Sequence, residues 1–247
     1  FEEKHLGGIC LNWGCIPTKA LLKSAEIYQY IKNAGQYGVT VENVKPDLAS
    51  MVERSRKISK QLCQGIAGLL QKHKITVIEK RAKLESQNII EADKVKYKVK
   101  NIIIAAGARA RILKGFEPDG DRVWSYMEAL VPKEIPKHLV IVGSGAIGIE
   151  FASFYNNLGS DVTVLDVAPR ILPNEDEEIS NMARQIFISK GMKFETDVSL
   201  DKLEKSKDNI VLKYRVGGKA KEIKANNLLM AVGIVGNTEK LGLENTK

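Results

Sequence analysis

Cysteine is scarce in this chain of 247 residues: there are three. Three make no disulfide framework of the kind that staples small secreted domains, so the composition points to a reducing compartment, cytoplasmic or, in a eukaryote, the mitochondrial matrix. Histidine is equally rare, and only His5 lies near the paired cysteines Cys10 and Cys15, too few ligands for a zinc site. No stretch of about 18 apolar residues occurs, so no membrane-spanning helix is expected. Charged residues follow Phe1 at once, which leaves no secretory h-region. An initiator Met is also missing, and the coding sequence is expected to begin upstream. Acidic residues are outnumbered, 30 against 38 basic, giving a formal charge of +8. The lysines of "KVKYKVK" (94–100) and "KLEKSKD" (202–208) are nevertheless scattered along the chain among acids and apolar residues. That reads as a solvated surface, with no nucleic-acid face.

What is present is apolar mass for one large core or two ordinary ones, 44% of residues, and a βα alternation. Helical spacing runs over 18–33, stopped by Gly35 and Gly38, and over 46–73, with Leu48, Val52, Ile58, Leu62, Ile66 and Leu69 on one face. Strand-like pieces follow in "ITVIEKRAKLES" (75–86) and "NIIEADKVKYKVK" (88–100). The run "NIIIAAG" (101–107), apolar on both faces, is expected to be a buried parallel strand. Pro118, Gly120, Pro132 and Pro136 punctuate a linker, with Trp124 and Tyr126 anchoring it to a domain surface. A new unit then opens with strand "HLVIVG", a helix from Ala146 to Leu158 and strand "DVTVLD". A helix over 176–190, a hairpin turning at "VGGK", and "NNLLMAVG" (226–233) complete it. The expected class is α/β, a Rossmann-like unit over 114–235 after a partial Rossmann-like unit over 1–113, with 236–247 returning to the first.

Within "VIVGSGAIGIE", Gly143, Gly145 and Gly148 have G-x-G-x-x-G spacing. They follow a strand, open a helix, and precede Asp166 at the next strand end, the context a dinucleotide site requires. Gly143 permits the tight turn, Gly145 lets backbone approach a pyrophosphate, and Gly148 lets helix and strand pack closely. The pyrophosphate would then sit on the free N–H groups of the helix N-terminus. Asp166 would accept from ribose hydroxyls and repel a 2′-phosphate, favouring NAD over NADP; Arg170, which could hold such a phosphate, lies beyond the strand end.

"GGICLNWGCIPTKALL" (7–22) carries the other concentration of chemistry. Cys15 and Pro17 stand at a helix start, where the dipole favours a thiolate. Gly7, Gly8 and Gly14 let backbone bend sharply and approach a planar ligand. Gly14 allows the two Cα atoms within disulfide reach, and Lys19 lies one turn past Cys15 on the same face. These features fit a redox pair better than two small core residues. Cys63, inside the second helix, reads as a core residue.

The segment resembles the redox-disulfide region of the flavoprotein disulfide reductases, and in detail the dihydrolipoamide dehydrogenases. The likeness continues through "IIIAAGARAR", "VIVGSGAIGIEFASFY", "RILPNEDEEI" and "AVGIVGNTEKLGLE". It implies a Cys10–Cys15 disulfide, with Cys10 the interchange thiol and Cys15 the charge-transfer thiolate beside the flavin. Lys19 would sit near the flavin and pair with Glu150. Glu2 would hold the adenosine ribose of FAD, and Ala106 and Gly107 would close over that cofactor, although the family usually has threonine at Ala106. Gly8, Ala146, Ile147 and Gly233 join the implied cofactor-binding backbone.

The implied reaction oxidises protein-bound dihydrolipoamide and passes electrons through FAD to NAD. The implied partners are a lipoyl domain of a 2-oxoacid dehydrogenase complex and a second subunit. Against that family, an upstream FAD glycine motif and a C-terminal dimerisation domain with its His-Glu pair are lacking, so the chain alone is expected not to turn over. Alternatives are a glutathione- or mercury-type NADPH reductase and a non-catalytic NAD-binding remnant.

Overall fold

The structure, a computed structural model, describes residues 1–246. Its centre is a five-stranded parallel sheet. Strand β6 (His138–Val142) leads through helix α5 (Ala146–Asn157) to β7 (Asp161–Leu165), and helix α6 (Glu177–Ser189) leads to β8 (Lys193–Glu195). The chain then builds an antiparallel sheet from β9 (Val198–Lys205), β10 (Ile210–Val216) and β11 (Lys219–Ala225), and returns as β12 (Asn227–Met230). The order across the parallel sheet is β5-β12-β6-β7-β8, with β5 only Val123–Trp124. Since β6 is followed on one side by β7 and joined on the other by β12, the order reverses between β6 and β12. Parallel sheets of this kind bind ligands at the carboxyl ends of the strands at that reversal.

The strand sequences explain the layers. Successive side chains alternate faces, and "HLVIV" puts Leu139 and Ile141 on one face and Val140 and Val142 on the other, all buried. The first face packs under Phe151, Phe154 and Tyr155 of α5. The second packs on Ile210, Leu212 and Tyr214 of β10. A strand covered on both sides must be apolar throughout. Gly159, at φ +102°, ends the α5 turn as expected.

The N-terminal part is mainly helical. Helix α1 (Gly8–Trp13) is followed, across Gly14, by α2 (Cys15–Lys32), and α3 (Leu48–Lys72) lies against both. Asp47 caps α3 by accepting from the Ser50 N–H. Leu21 and Ala25 of α2 are buried in the same cluster as α5 and the face of β6. A small antiparallel sheet, β1 (Ala82–Ser86), β2 (Ile89–Ala92) and β3 (Val95–Lys98), and a two-stranded pair, β4 (Ala108–Ala110) with β13 (Ile234–Gly236), complete the chain together with α4 (Tyr126–Leu130).

Several sequence expectations are corrected here. Residues 101–107 form no strand, and Ile103 is 93% exposed. A ladder needs neighbours, and none of the strands pairs with this run. Of "ITVIEKRAKLES", only the last five residues form a strand, with a bulge at Glu85; the stretch before them is held at Ile78, whose carbonyl accepts from the Glu2 N–H at 3.0 Å. On α3 the buried positions are Ser55 and Ser59, small enough for the neighbouring helices to approach, while Leu62 and Leu69 are exposed. Trp124 is a sheet residue in the main core, its indole N–H donating to the Asp121 carbonyl at 2.8 Å. The residues just before Gly14 and Cys15 form the short helix α1.

Candidate active site: two dinucleotide cradles and a cysteine pair

The reversal point of the parallel sheet is built from glycine backbone. Gly143 leaves β6 at φ +106°, and a Cβ there would lie 2.3 Å from the Ala231 carbonyl oxygen at the end of β12. A Cβ on Gly148 would lie 1.9 Å from the Gly143 carbonyl oxygen. These two glycines are required by close approach of backbone to backbone. Gly145 differs: its φ is −69° and nothing lies within 4 Å of the added Cβ. It faces open space at the start of α5, which has no side-chain cap. The first-turn N–H groups of Ala146 and Ile147 are therefore left for an anion. Gly233, at φ +104°, follows β12 on the other side of the reversal point.

Asp166 ends β7 almost fully buried. Its Oδ2 accepts from both the backbone N–H and, at 2.6 Å, the hydroxyl of Ser144, and its Oδ1 accepts from the Ala168 N–H at 2.8 Å. The carboxylate thus orders the glycine turn as well as standing where a ribose would arrive. Ser144 is a partner of Asp166 that the sequence reading missed, because motif spacing says nothing about the residues between the glycines. Arg170 turns away: its Nη2 donates to the carbonyls of Pro173 and Glu175 at 3.2 Å, and Nη1 is 3.6 Å from Glu177.

The cysteines lie on consecutive helices, Cys10 in α1 and Cys15 at the first position of α2, and all three cysteines are free thiols. A Cβ on Gly14 would sit 3.1 Å from the Cys10 Cα and from the Ile9 carbonyl oxygen, so any side chain would crowd the bend between the helices. The hydrogen bond shared with Cys10 pushes the Cys15 thiol up, burial and the charge of Cys10 add to this, and Lys19 opposes it. The backbone N–H of Cys15 opposes the rise as well. Cys15 is the more exposed of the two.

Lys19, one turn along α2, forms an ion pair with Glu150 of α5. This bridge joins the cysteine helix to the helix that opens on Gly145. Cys63 is hydrogen-bonded, its thiol donating to the Asn12 Oδ1 at 3.3 Å.

An open groove of about 860 Å³ runs beside α1, lined among others by Glu2, Gly8, Trp13, Ala106, Gly107 and Arg109. It is within the size range of cofactor sites. Glu2 uses one oxygen, Oε1, to accept from the N–H groups of Lys4 and His5 at 2.9 and 3.1 Å. Gly107 has φ +71°. At the groove rim Arg109 grips Glu239 through two bonds, 2.7 and 3.0 Å, and also donates to the Asn237 side chain and the Gly236 carbonyl, while the Asn237 amide donates to the Ala106 carbonyl. This latch ties the exposed run 101–107 to the segment after β13. Its signal in the sequence was only two charges 130 residues apart.

Among the described residues no group of three or more His, Cys, Asp or Glu is placed to hold a metal ion, and no helix is long and apolar enough to cross a membrane.

Cysteines on α1, which lines the groove, and on α2, which an ion pair joins to the helix opening at the glycine-built turn, form a disulfide oxidoreductase framework. The chain belongs to the family described as pyridine nucleotide-disulphide oxidoreductase, which it matches over residues 2–247. It is 46% identical over 264 residues to dihydrolipoyl dehydrogenase of Rhizobium etli, covering 98% of this chain and 55% of that protein. It is 41% identical to dihydrolipoyl dehydrogenase of Zymomonas mobilis, covering 98% and 53%. Among solved structures, LpdA from Mycobacterium tuberculosis superposes with a TM-score of 0.89 at 24% identity, covering 99% of this chain and 54% of that one, a likeness of fold. A copper complex of the HOCl-induced flavoprotein disulfide reductase RclA of Escherichia coli superposes with a TM-score of 0.83 at 25% identity, covering 99% and 52%. The chain spans about half the length of the curated relatives it matches.

Proposed function

We propose that this chain carries the redox-cysteine and nucleotide-binding parts of a dihydrolipoyl dehydrogenase, acting with NAD. The observation that carries the reading is the placement of Cys10 in α1 and Cys15 at the start of α2, across the Gly14 bend, with Lys19 of α2 joined by Glu150 to helix α5. The residues fit both cofactors: the groove past Gly8, Ala106 and Gly107 offers backbone and the second oxygen of Glu2 to FAD, and the open Gly145 turn with Ala146, Ile147 and Asp166 suits the pyrophosphate and ribose of NAD. FAD, when bound, supplies an acceptor for an electron pair that passes on to NAD as hydride.

The chain's own residues do the sulfur chemistry. In the oxidised form, a thiolate of dihydrolipoamide attacks the Cys10 sulfur; the Cys10–Cys15 bond breaks, and Cys15 leaves as thiolate with the electron pair. The second thiol of the substrate then attacks the substrate sulfur of the mixed disulfide, releasing lipoamide and the Cys10 thiol. Lys19 stabilises the Cys15 thiolate by charge and is itself oriented by Glu150. The buried Asp166 carboxylate disfavours a 2′-phosphate, which favours NAD over the NADPH expected of a glutathione- or mercury-type reductase. The partners are a lipoyl domain of a 2-oxoacid dehydrogenase complex and a second subunit, and the compartment is the cytoplasm, or the mitochondrial matrix in a eukaryote.

The test uses the chain as it is. After mild oxidation, peptide mapping should find a Cys10–Cys15 bond that dihydrolipoamide reduces and that Cys10→Ser abolishes, and NADH should bind more tightly than NADPH. With added FAD, the chain alone is expected to show no NAD-dependent turnover of lipoamide. Absence of that disulfide, or a preference for NADPH, overturns the assignment.

A further inference from the structure

Two arginines of α3 reach toward the cysteine-bearing helices, and they do different things. The Nη1 of Arg54 donates to the Ala20 carbonyl at 2.9 Å and to the Ser24 hydroxyl at 3.3 Å, gripping the middle of α2. Arg56 reaches the bend itself. Its Nη1 donates to the backbone carbonyl of Asn12, and its guanidinium lies 4.2 Å from the centre of the Trp13 ring. Asn12 and Trp13 are the last residues of α1, immediately before Gly14.

The Asn12 side chain adds further ties at the same corner. Its amide donates to the carbonyls of Leu6 and Gly8 at 3.0 and 2.9 Å, and its Oδ1 accepts from Cys63. Helix α1 has six residues and so cannot hold its own shape in water. Its orientation against α2 is set by these ties. Cys10 stands on α1 and Cys15 begins α2, so whatever fixes the angle between the helices also fixes the approach of the two sulfurs.

We propose that Arg56 is a positioning residue for the cysteine pair: by clamping the Asn12 carbonyl and the Trp13 ring it sets the bend at Gly14, and so the ease with which Cys10 and Cys15 form and release their disulfide. The inference rests on the reading of that pair as redox-active. An Arg is suited to both tasks at once, because its flat cation stacks on an indole face while its edge donates in plane. Without the clamp the sulfurs spend less time in bonding geometry, which disfavours the disulfide relative to the dithiol.

The experiment is a redox titration of the full chain with glutathione. Oxidised glutathione takes two electrons and two protons from the Cys10 and Cys15 thiols, forming their S–S bond and two molecules of reduced glutathione. Differential alkylation and peptide mapping report the Cys10–Cys15 state separately from Cys63. Arg56→Met is expected to lower the equilibrium constant for the disulfide about tenfold, which is a shift of about 30 mV for a two-electron couple. Arg54→Met, which removes a comparable tie away from the bend, is expected to leave the constant within twofold.

An unchanged constant in Arg56→Met overturns the inference, as does an equal shift in Arg54→Met. If circular dichroism shows Arg56→Met unfolded, Arg56→Lys takes its place. Lysine keeps the charge but not the stacked plane, and a fall of at least threefold is expected; no change overturns the inference. A parent chain that forms no Cys10–Cys15 disulfide overturns the functional reading itself, and this inference falls with it, whereas a pair that forms equally well without Arg56 overturns the inference alone.

Discussion

Alanine at Gly145 and alanine at Gly148 are expected to fail for opposite reasons. At Gly145 the backbone conformation is one that alanine adopts freely, and the new methyl would meet nothing within 4 Å. Folding should be untouched, with the melting temperature within about 2 °C of the parent, the ordinary range of a surface change. The methyl would instead stand where a pyrophosphate must approach the N–H groups of Ala146 and Ile147, and NADH affinity is expected to fall at least tenfold, about 1.4 kcal/mol. At Gly148 the methyl would lie 1.9 Å from the Gly143 carbonyl oxygen and 3.0 Å from its carbon. Backbone cannot rotate aside as a side chain can, so the overpacking cost lies at or above the upper end of the usual range, about 3 kcal/mol. Helix propensity returns about 1 kcal/mol. The net loss of about 2 kcal/mol corresponds to a drop of roughly 4–8 °C for a chain of this size. Thermal melts and NADH fluorescence titrations on the two variants read both quantities. A Gly145→Ala variant that binds NADH like the parent, or a Gly148→Ala variant as stable as the parent, would refute the division of labour among the three glycines.

Three other perturbations follow from the geometry. Asp166→Asn removes the charge that a 2′-phosphate would meet, and the ratio of NADPH to NADH dissociation constants should fall at least tenfold; an unchanged ratio in fluorescence titrations would place discrimination elsewhere. Tyr155 is fully buried with its hydroxyl donating to the Ala129 carbonyl at 2.8 Å, so Tyr155→Phe strands that carbonyl and should cost about 1–3 kcal/mol in urea unfolding. Arg109 first, then a backbone N–H, holds the Glu239 carboxyl down from 4.5 to about 2. A depressed carboxyl adds stability above its unfolded value that is lost as pH falls, so the urea midpoint should decline from about pH 4.5 toward pH 2, and less steeply in Glu239→Gln. An identical slope in both would show that the latch contributes nothing.

The βαβ fold was legible from Gly143 to Asp166 because the requirements there are local: an apolar strand, glycines where backbone touches backbone, a helix start without a cap. The juxtaposition of Cys10 and Cys15 was legible for the same reason, since five positions and one tight glycine bend bring them together. Failures came where a residue's fate depends on what lies beside it. Ile102, Ile103 and Ile104 carry the pattern of a buried strand, yet pattern cannot supply neighbours, and the run lies along the groove unpaired. Trp124 resembled a surface anchor because a two-residue strand has no period to read. The apolar face assigned to α3 holds at its start, where Leu48 and Val52 pack on the core, and fails further along, where Leu62 and Leu69 are exposed; the fully buried positions are Ser55 and Ser59, whose smallness rather than hydrophobicity admits the neighbouring helices. Asp166 was read for the ligand it would meet, and the Ser144 hydroxyl that occupies it was invisible without coordinates.

Helix α2 starts at a sulfur and has Leu21 and Ala25, in its middle turns, sealed among the side chains of α5 and β6. Cutting the gene into an N-terminal and a nucleotide-binding fragment would therefore tear a single oily seam, leaving Phe154 and its neighbours wet on one piece and α2 undocked on the other. Limited proteolysis should nick this protein in its loops without releasing two well-behaved fragments, and any motion that separates the halves must first peel that helix away.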